Sequence, residues 1–224
     1  MTFSLAARCP ASGRFGIVVT SSSPAVGARC AHARARVGAA ASQNVTDPSL
    51  GRLLLDLLAS GLSAPEAMTQ LVATAAHAEF RQLTCVDAGG RVAAYSGERT
   101  LGRHATAEGA GCVAAGNLLA DEGVAEAMVD AFEDAEGDDL GDRLVDALSA
   151  GLAAGGEEGA ERSAGLLVVD TVTWPVADLR VDWHDDPIGE LGALWLRWKT
   201  QMDDYVARAL EPARAPSFGV PGDR

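Results

Sequence analysis

Thr2 is the residue whose position could do chemistry, because a hydroxyl and an α-amine would share it once Met1 is removed. A small second residue favours that removal, and the result is a weak alcohol nucleophile with a built-in base. Further polar residues interrupt apolar stretches: Ser21, Ser22 and Ser23, then Gln43 and Asn44, then Asn117 after Ala114-Ala115-Gly116. Hydroxyls beside Thr2 could contact a substrate. Side-chain amides at strand ends could donate hydrogen bonds to a developing oxyanion. Each group also has a plain structural reading. The serine run before Pro24 makes a turn, Asp47 caps the following helix, and Gly116-Asn117 forms a turn. Arg81-Gln82, which precedes an apolar strand, could bind a substrate carboxylate. His104 sits in a Gly-flanked loop, either contacting substrate or merely solvated.

Composition narrows the class. The chain has 224 residues, 48% of them hydrophobic, which suits one domain with a sizeable core. We expect that domain to cover residues 1–211, followed by a disordered Pro- and Gly-rich tail over 212–224. The net charge is −13, and no Lys/Arg cluster offsets it, which argues against a nucleic-acid or anionic-membrane partner. No apolar run of about 18 residues could span a bilayer. No basic region leads into an apolar run near Met1, so a cytoplasmic location is expected. The four cysteines are widely spaced without a CxxC pair and read as buried reduced thiols. The four histidines are scattered, and no HExxH motif, glycine-rich phosphate loop or GxSxG elbow appears. We therefore expect no metal and no cofactor.

The elements that would position these residues follow from periodicity. Thr2–Arg8 alternates, with Thr2, Ser4 and Ala6 facing one way and Phe3, Leu5 and Ala7 the other. A turn at Pro10–Gly13 leads to a second strand over Arg14–Thr20, which makes a hairpin and brings the serine run beside Thr2. Val37–Ser42, small and apolar, reads as a strand buried on both faces. A helix over Gly51–Ser60 follows, then another from a capping box at Ser63 and Glu66 to about His77. Strands are expected over Gln82–Val86, Arg91–Tyr95 and Cys112–Ala115. A second helix pair spans Glu122–Glu136 and Leu140–Ala153, broken at Gly137-Asp138-Asp139. Strands over Gly165–Asp170 and Leu179–Asp182 precede one long helix from Pro187 to about Leu210. Trp195 and Trp198, spaced i, i+3 on that helix, pack either on the core or on a partner subunit. Strands and helix pairs in this order argue against a doubly wound sheet. They suit an α+β fold with two stacked antiparallel sheets between helical layers.

Five segments carry a family resemblance: TFSLAAR at the start, SSSPAVGARCAHARARVGAAASQNVTDPSLG (Ser21–Gly51), RQLTCVDAGGRVAAYSG (Arg81–Gly97), AAGNLLAD (Ala114–Asp121) and VADLRVDWHDDPIGEL (Val176–Leu191). Together they resemble the domain-of-unknown-function 1028 family, regarded as related to the N-terminal nucleophile hydrolases. The resemblance implies a four-layer αββα sandwich with Thr2 at the nucleophile position. It implies that Ser21–Ser23 and Gln43-Asn44 lie near the site, with Asn117 as an oxyanion partner. One segment departs: Gly159-Ala160-Glu161-Arg162-Ser163 stands where the resemblance leads one to expect a basic, Gln-containing stretch, which puts specificity or activity in question. The expected function is a metal-free hydrolase of a small amide or short peptide, acting as a homodimer. The alternative is a non-catalytic binding or assembly protein on the same sandwich.

Overall fold

The structure is a computed structural model that describes residues 1–135 and 139–216. Its strands are short runs of small or β-branched residues, several of them buried throughout. β1 (Thr2–Arg8) and β2 (Phe15–Ser21) form the expected hairpin, with Phe3 opposite Thr20 and Ala7 opposite Gly16. A single-turn helix α1 (Val26–Cys30) and strand β3 (Ala31–Arg34) follow, then β4 (Gly38–Asn44), which begins and ends slightly later than expected.

Helices α2 (Pro48–Ala59) and α3 (Ala64–Thr74) come next. Asp47 caps the first by accepting from the Ser49 backbone N–H, and the Ser63/Glu66 capping box opens the second. β5 (Arg81–Asp87), β6 (Val92–Ser96), β7 (His104–Gly109) and β8 (Cys112–Asn117) precede α4 (Val124–Asp134) and α5 (Leu140–Ala153). Of the break expected between these helices, residues 137 and 138 lie outside the described residues, while Asp139 caps α5. β9 (Ser163–Val169), β10 (Ala177–Val181), α6 (Pro187–Trp198) and α7 (Met202–Leu210) complete the elements.

All strand pairs are antiparallel. One sheet has the order β10-β9-β2-β1-β8-β7, and the other β3-β4-β5-β6. Phe3, Leu5 and Ala7 point away from the second sheet and pack with Met128, Phe132, Leu144 and Leu148 of α4 and α5. On the opposite outer face, Leu50, Leu54, Leu58, Met68 and Leu71 of α2 and α3 cover Ala40, Leu83 and Cys85. Between the sheets lie Ala6, Ile17, Ala39, Ala41, Val86 and Val113. The result is a four-layer αββα sandwich, an α+β fold in which each sheet is covered on both faces.

Several expectations needed correction. The single long C-terminal helix is two helices, broken at residues 199–201. The Trp198 indole donates to the Val176 carbonyl at 2.9 Å and stacks on Tyr205, so the chain is pinned where helical periodicity continued. Trp195 is buried against the core and donates to Asp142, so both indoles are engaged within the chain. His104 opens an edge strand rather than a loop. β7 alternates exposed and half-buried residues and has no apolar run to announce it. α1 and β3 are too short for a periodic signal. Of the expected tail, Pro212–Arg214 forms a 3-10 turn, and 217–224 lie outside the described residues. All four cysteines are buried and unpaired.

The serine turn after β2 is held by a close backbone approach. A Cβ on Gly165 of β9 would lie 2.8 Å from the Cα of Gly27 in α1, where no side chain fits without displacement. Gly165→Ala should push α1 off β9 and destabilise the protein by about 1–3 kcal/mol. A urea midpoint that falls at unchanged m-value checks this.

Candidate functional site

Strand register assembles one polar row across the end of the six-stranded sheet. Thr2 is opposite Asn117, Asn117 is opposite His104, and Ser21 is opposite Ser163. The Phe3–Thr20 pair brings Thr2 alongside Ser21. Residues paired across an antiparallel sheet share a face, here the face turned toward the second sheet. Thr2 itself is only 5% exposed. A groove of about 570 Å³ between α3 and β6, lined by Met68, Val72 and Tyr95, lies elsewhere, toward the far end of β7.

The hydroxyls of this row form a directed chain. Arg29 Nη2, which can only donate, bonds Ser23 Oγ at 2.8 Å. Ser23 Oγ lies 2.8 Å from Ser21 Oγ, and Ser21 Oγ donates to the Met1 carbonyl oxygen at 2.5 Å. A hydroxyl has one proton, so with that of Ser21 on the carbonyl, Ser23 must donate to Ser21. The guanidinium charge thus polarises two hydroxyls in series toward one carbonyl oxygen. Thr2 Oγ1 also donates to that oxygen and lies 3.4 Å from Ser21 Oγ. Ser22 presents its backbone N–H, as described below.

Beneath the row a second network joins the two sheets. Ser4 Oγ donates to Gln43 Oε1 at 2.7 Å, and Gln43 Nε2 donates to Gln82 Oε1 at 2.8 Å and to the Ala115 carbonyl. Gln82 Nε2 donates to Ser96 Oγ and to the Gly116 carbonyl, both at 3.0 Å. Backbone carbonyls only accept, so they fix the orientation of both glutamines. Gln82 Oε1 is therefore an acceptor, and Asn117 Nδ2 donates to it at 3.0 Å. Asn117 Oδ1 is buried without a hydrogen-bond partner among the described residues. Gln43 and Asn117 are thus both at the site, each with an N–H committed to this scaffold.

Three other candidates are engaged away from Thr2. Asn44, at φ +72°, donates to the Phe80 carbonyl and accepts from the Leu101 N–H, stitching a loop to the end of β4. The Arg81 guanidinium donates to the Val45 carbonyl. His104 shares the row but is exposed on the edge strand, with Nδ1 3.1 Å from the Gly102 carbonyl.

Glu157 joins the site from the loop before β9. Its backbone bridges to Leu119, and its Oε2 accepts from the Ser22 backbone N–H at 3.0 Å. The residue is 5% exposed, and Oε1 has no hydrogen-bond partner among the described residues. Burial pushes this carboxyl up to about 7, against the opposing pull of the Met1 α-ammonium and the Ser22 N–H. No group of three or more His, Cys, Asp or Glu residues suited to a metal ion occurs among the described residues.

The family model described as "Family of unknown function (DUF1028)" matches residues 2–191. The chain belongs to the DUF1028 family. A solved member, protein SPO2555 from Silicibacter pomeroyi, is 30% identical over 91% of this chain and 92% of its own, with a TM-score of 0.83. Anbu, the ancestral β-subunit from Yersinia bercovieri, aligns over 97% of this chain and all of its own at 11% identity. Its TM-score of 0.41 is too loose to argue from. No curated protein matches the chain.

The segment where this DUF1028 chain departs from the expected pattern borders the site. A Cβ on Gly159 would lie 3.1 Å from Met1 Cε, and the Arg162 N–H donates to the Ser21 carbonyl. Sequence reasoning missed Glu157, because GGEEGAER reads as a solvated acidic loop and only a tertiary bridge brings it inward. It also gave Gln82 no part beside Gln43, although Gln82, Thr84 and Val86 share one face of β5 by alternation. The proton of Glu157 is bound more tightly in the folded protein than at the ordinary carboxyl value of 4.5. Its stabilising contribution is therefore complete below about pH 4.5 and lost as pH rises to about 7. The stability of the wild type relative to Glu157→Gln should decline across that window and level off above it. Urea unfolding at a series of pH values checks this, and a flat difference would contradict it.

Proposed function

We propose that this DUF1028 protein hydrolyses small amide bonds, with Thr2 as the nucleophile once cleavage of the Met1–Thr2 bond frees its α-amine. Thr2 Oγ1 attacks the substrate carbonyl carbon, and the α-amine takes the hydroxyl proton. The negative charge that develops on the carbonyl oxygen meets the Ser21 hydroxyl, polarised by Ser23 and Arg29. The α-ammonium then protonates the leaving amine as the C–N bond breaks. Water, activated by the same amine, cleaves the resulting ester and restores Thr2. The observation that carries this reading is the 2.5 Å bond from Ser21 Oγ to a carbonyl oxygen beside Thr2 Oγ1. Ser21 takes the oxyanion part expected of Gln43 and Asn117, whose amides serve as the scaffold holding β1 and β8 in register. Ser22 and Ser23 act through their neighbours. Asn44, Arg81 and His104 make no hydrogen bond to the Thr2 group among those described, so the reading assigns them no step.

The burial of Thr2 favours a second reading if Met1 stays. Thr2 nitrogen is then an amide and cannot act as a base, and the protein would be a non-catalytic binding or assembly module. Intact mass of the purified protein separates the two. On the hydrolase reading Thr2 is the N-terminus, Thr2→Ser keeps measurable turnover, and Thr2→Ala loses about 10³-fold or more. Full activity in the alanine variant, or in protein that retains Met1, sinks the mechanism.

The same proposal includes a cytoplasmic homodimer. Four reduced thiols support the compartment, and exposed Leu194 and Leu196 on α6 support the association. No helix among the described residues is long and apolar enough to cross a membrane. A monomeric mass in sedimentation would remove the dimer.

A further inference from the structure

We propose that the substrates of this site are α-aminoacyl amides, compounds with a free ammonium one carbon from the scissile carbonyl, and that Glu157 recognises the ammonium. The inference rests on the hydrolase reading and narrows its substrate class.

Met1 is itself an α-aminoacyl group attached to Thr2, through nitrogen instead of oxygen. The N-acyl and O-acyl forms of Thr2 join the same carbonyl to two heteroatoms of one residue, three bonds apart. A donor that holds the carbonyl oxygen in one form is therefore close to it in the other. Ser21 Oγ is that donor, and Thr2 Oγ1 also bonds to the same oxygen. The way Met1 is seated thus maps where the acyl half of a substrate would lie.

Glu157 completes that map. A carboxylate this deeply buried is costly unless a cation or several donors satisfy it. Oε2 accepts from the Ser22 N–H, and Oε1 has no hydrogen-bond partner among the described residues. The α-ammonium of Met1 acts on it through its field, without a direct ion pair between the two among the described residues. Ser21 holds the carbonyl oxygen and the next residue orients the carboxylate, so a single peptide unit sets the spacing between the two subsites. Carbonyl and ammonium in an α-aminoacyl group are separated by one carbon, a similarly short and fixed span. Gly159 borders the third part of the group. A Cβ there would approach Met1 Cε tightly at 3.1 Å and lie in ordinary contact with Sδ at 3.6 Å, so a larger side chain would compete with an extended acyl side chain for this space. N-acetylation would remove the ammonium charge and turn an amide carbonyl toward the carboxylate.

The test uses protein freed of Met1, verified by mass, with Thr2→Ala so that binding is read without turnover. Calorimetry compares L-methioninamide with N-acetyl-L-methioninamide. We expect the free amine to bind at least tenfold more tightly, and Glu157→Gln to reduce that preference to within twofold. Gly159→Val, which does not touch the carboxylate, should weaken methioninamide more than glycinamide. Equal binding of the two methionine amides, no binding of either, or an undiminished preference in Glu157→Gln would each overturn the inference. Turnover of both amides by the protein with Thr2 is measured separately. Equal hydrolysis of the acetylated amide overturns the substrate class and leaves the hydrolase standing. Selective binding without hydrolysis keeps the aminoacyl subsite and overturns the hydrolase.

Discussion

Two sheets packed face to face normally share an apolar interlayer, and here one end of that interlayer is polar. Along the strands the gap runs from Ala6, Ile17, Val86 and Val113, through Ala41, to Ser4, Gln43, Gln82 and Asn117. Side chains of this kind can be buried only if their donors and acceptors find partners. The glutamines meet that demand by reaching across to the Ala115 and Gly116 carbonyls and to each other. The register of β1 against β8, and with it the position of Thr2, thus depends on a network with little freedom to shift.

The hydroxyl chain above that network has a different character. It ends on a charged group, Arg29, carried by a helix of a single turn that is seated on β9 by two glycines. Its geometry depends on local backbone packing more than on the sheets. The site therefore combines a rigid floor from the interlayer with a wall whose position is set by one short helix and by the loop bearing Glu157.

Much of this arrangement was legible in the chain. Alternation in Thr2–Arg8 assigned Thr2 and Ser4 to one face, and the Ser63/Glu66 capping box was readable as written. The hairpin put the serine run beside Thr2, and the small residues of β4 announced close sheet stacking. Other parts carry no local signal. β7 is half exposed along its length, and α1 is shorter than the period that would reveal it. Gln43, Gln82 and Asn117 are far apart in sequence, and only the stacking of two sheets brings their amides together. Glu157 sits among glycines and acids that look solvated, and its burial follows from the bridge to Leu119. The C-terminal helix failed for the opposite reason. Its periodicity is genuine, but the contacts of Trp198 end it early.

The position of β1 in its sheet also has a consequence in time. This first strand lies between β2 and β8, so its outer pairing waits for residues 112–117 to be made. At a synthesis rate of roughly 5–20 residues per second, that interval is on the order of ten seconds. Until then the Met1–Thr2 bond belongs to an unfinished sheet and is open to a trimming enzyme. Once β8 docks, Thr2 is buried and the Met1 carbonyl oxygen is held by Ser21 Oγ, while Met1 itself stays exposed. Topology therefore gives the nascent chain an interval in which Met1 and Thr2 are still free of the contacts made across β8.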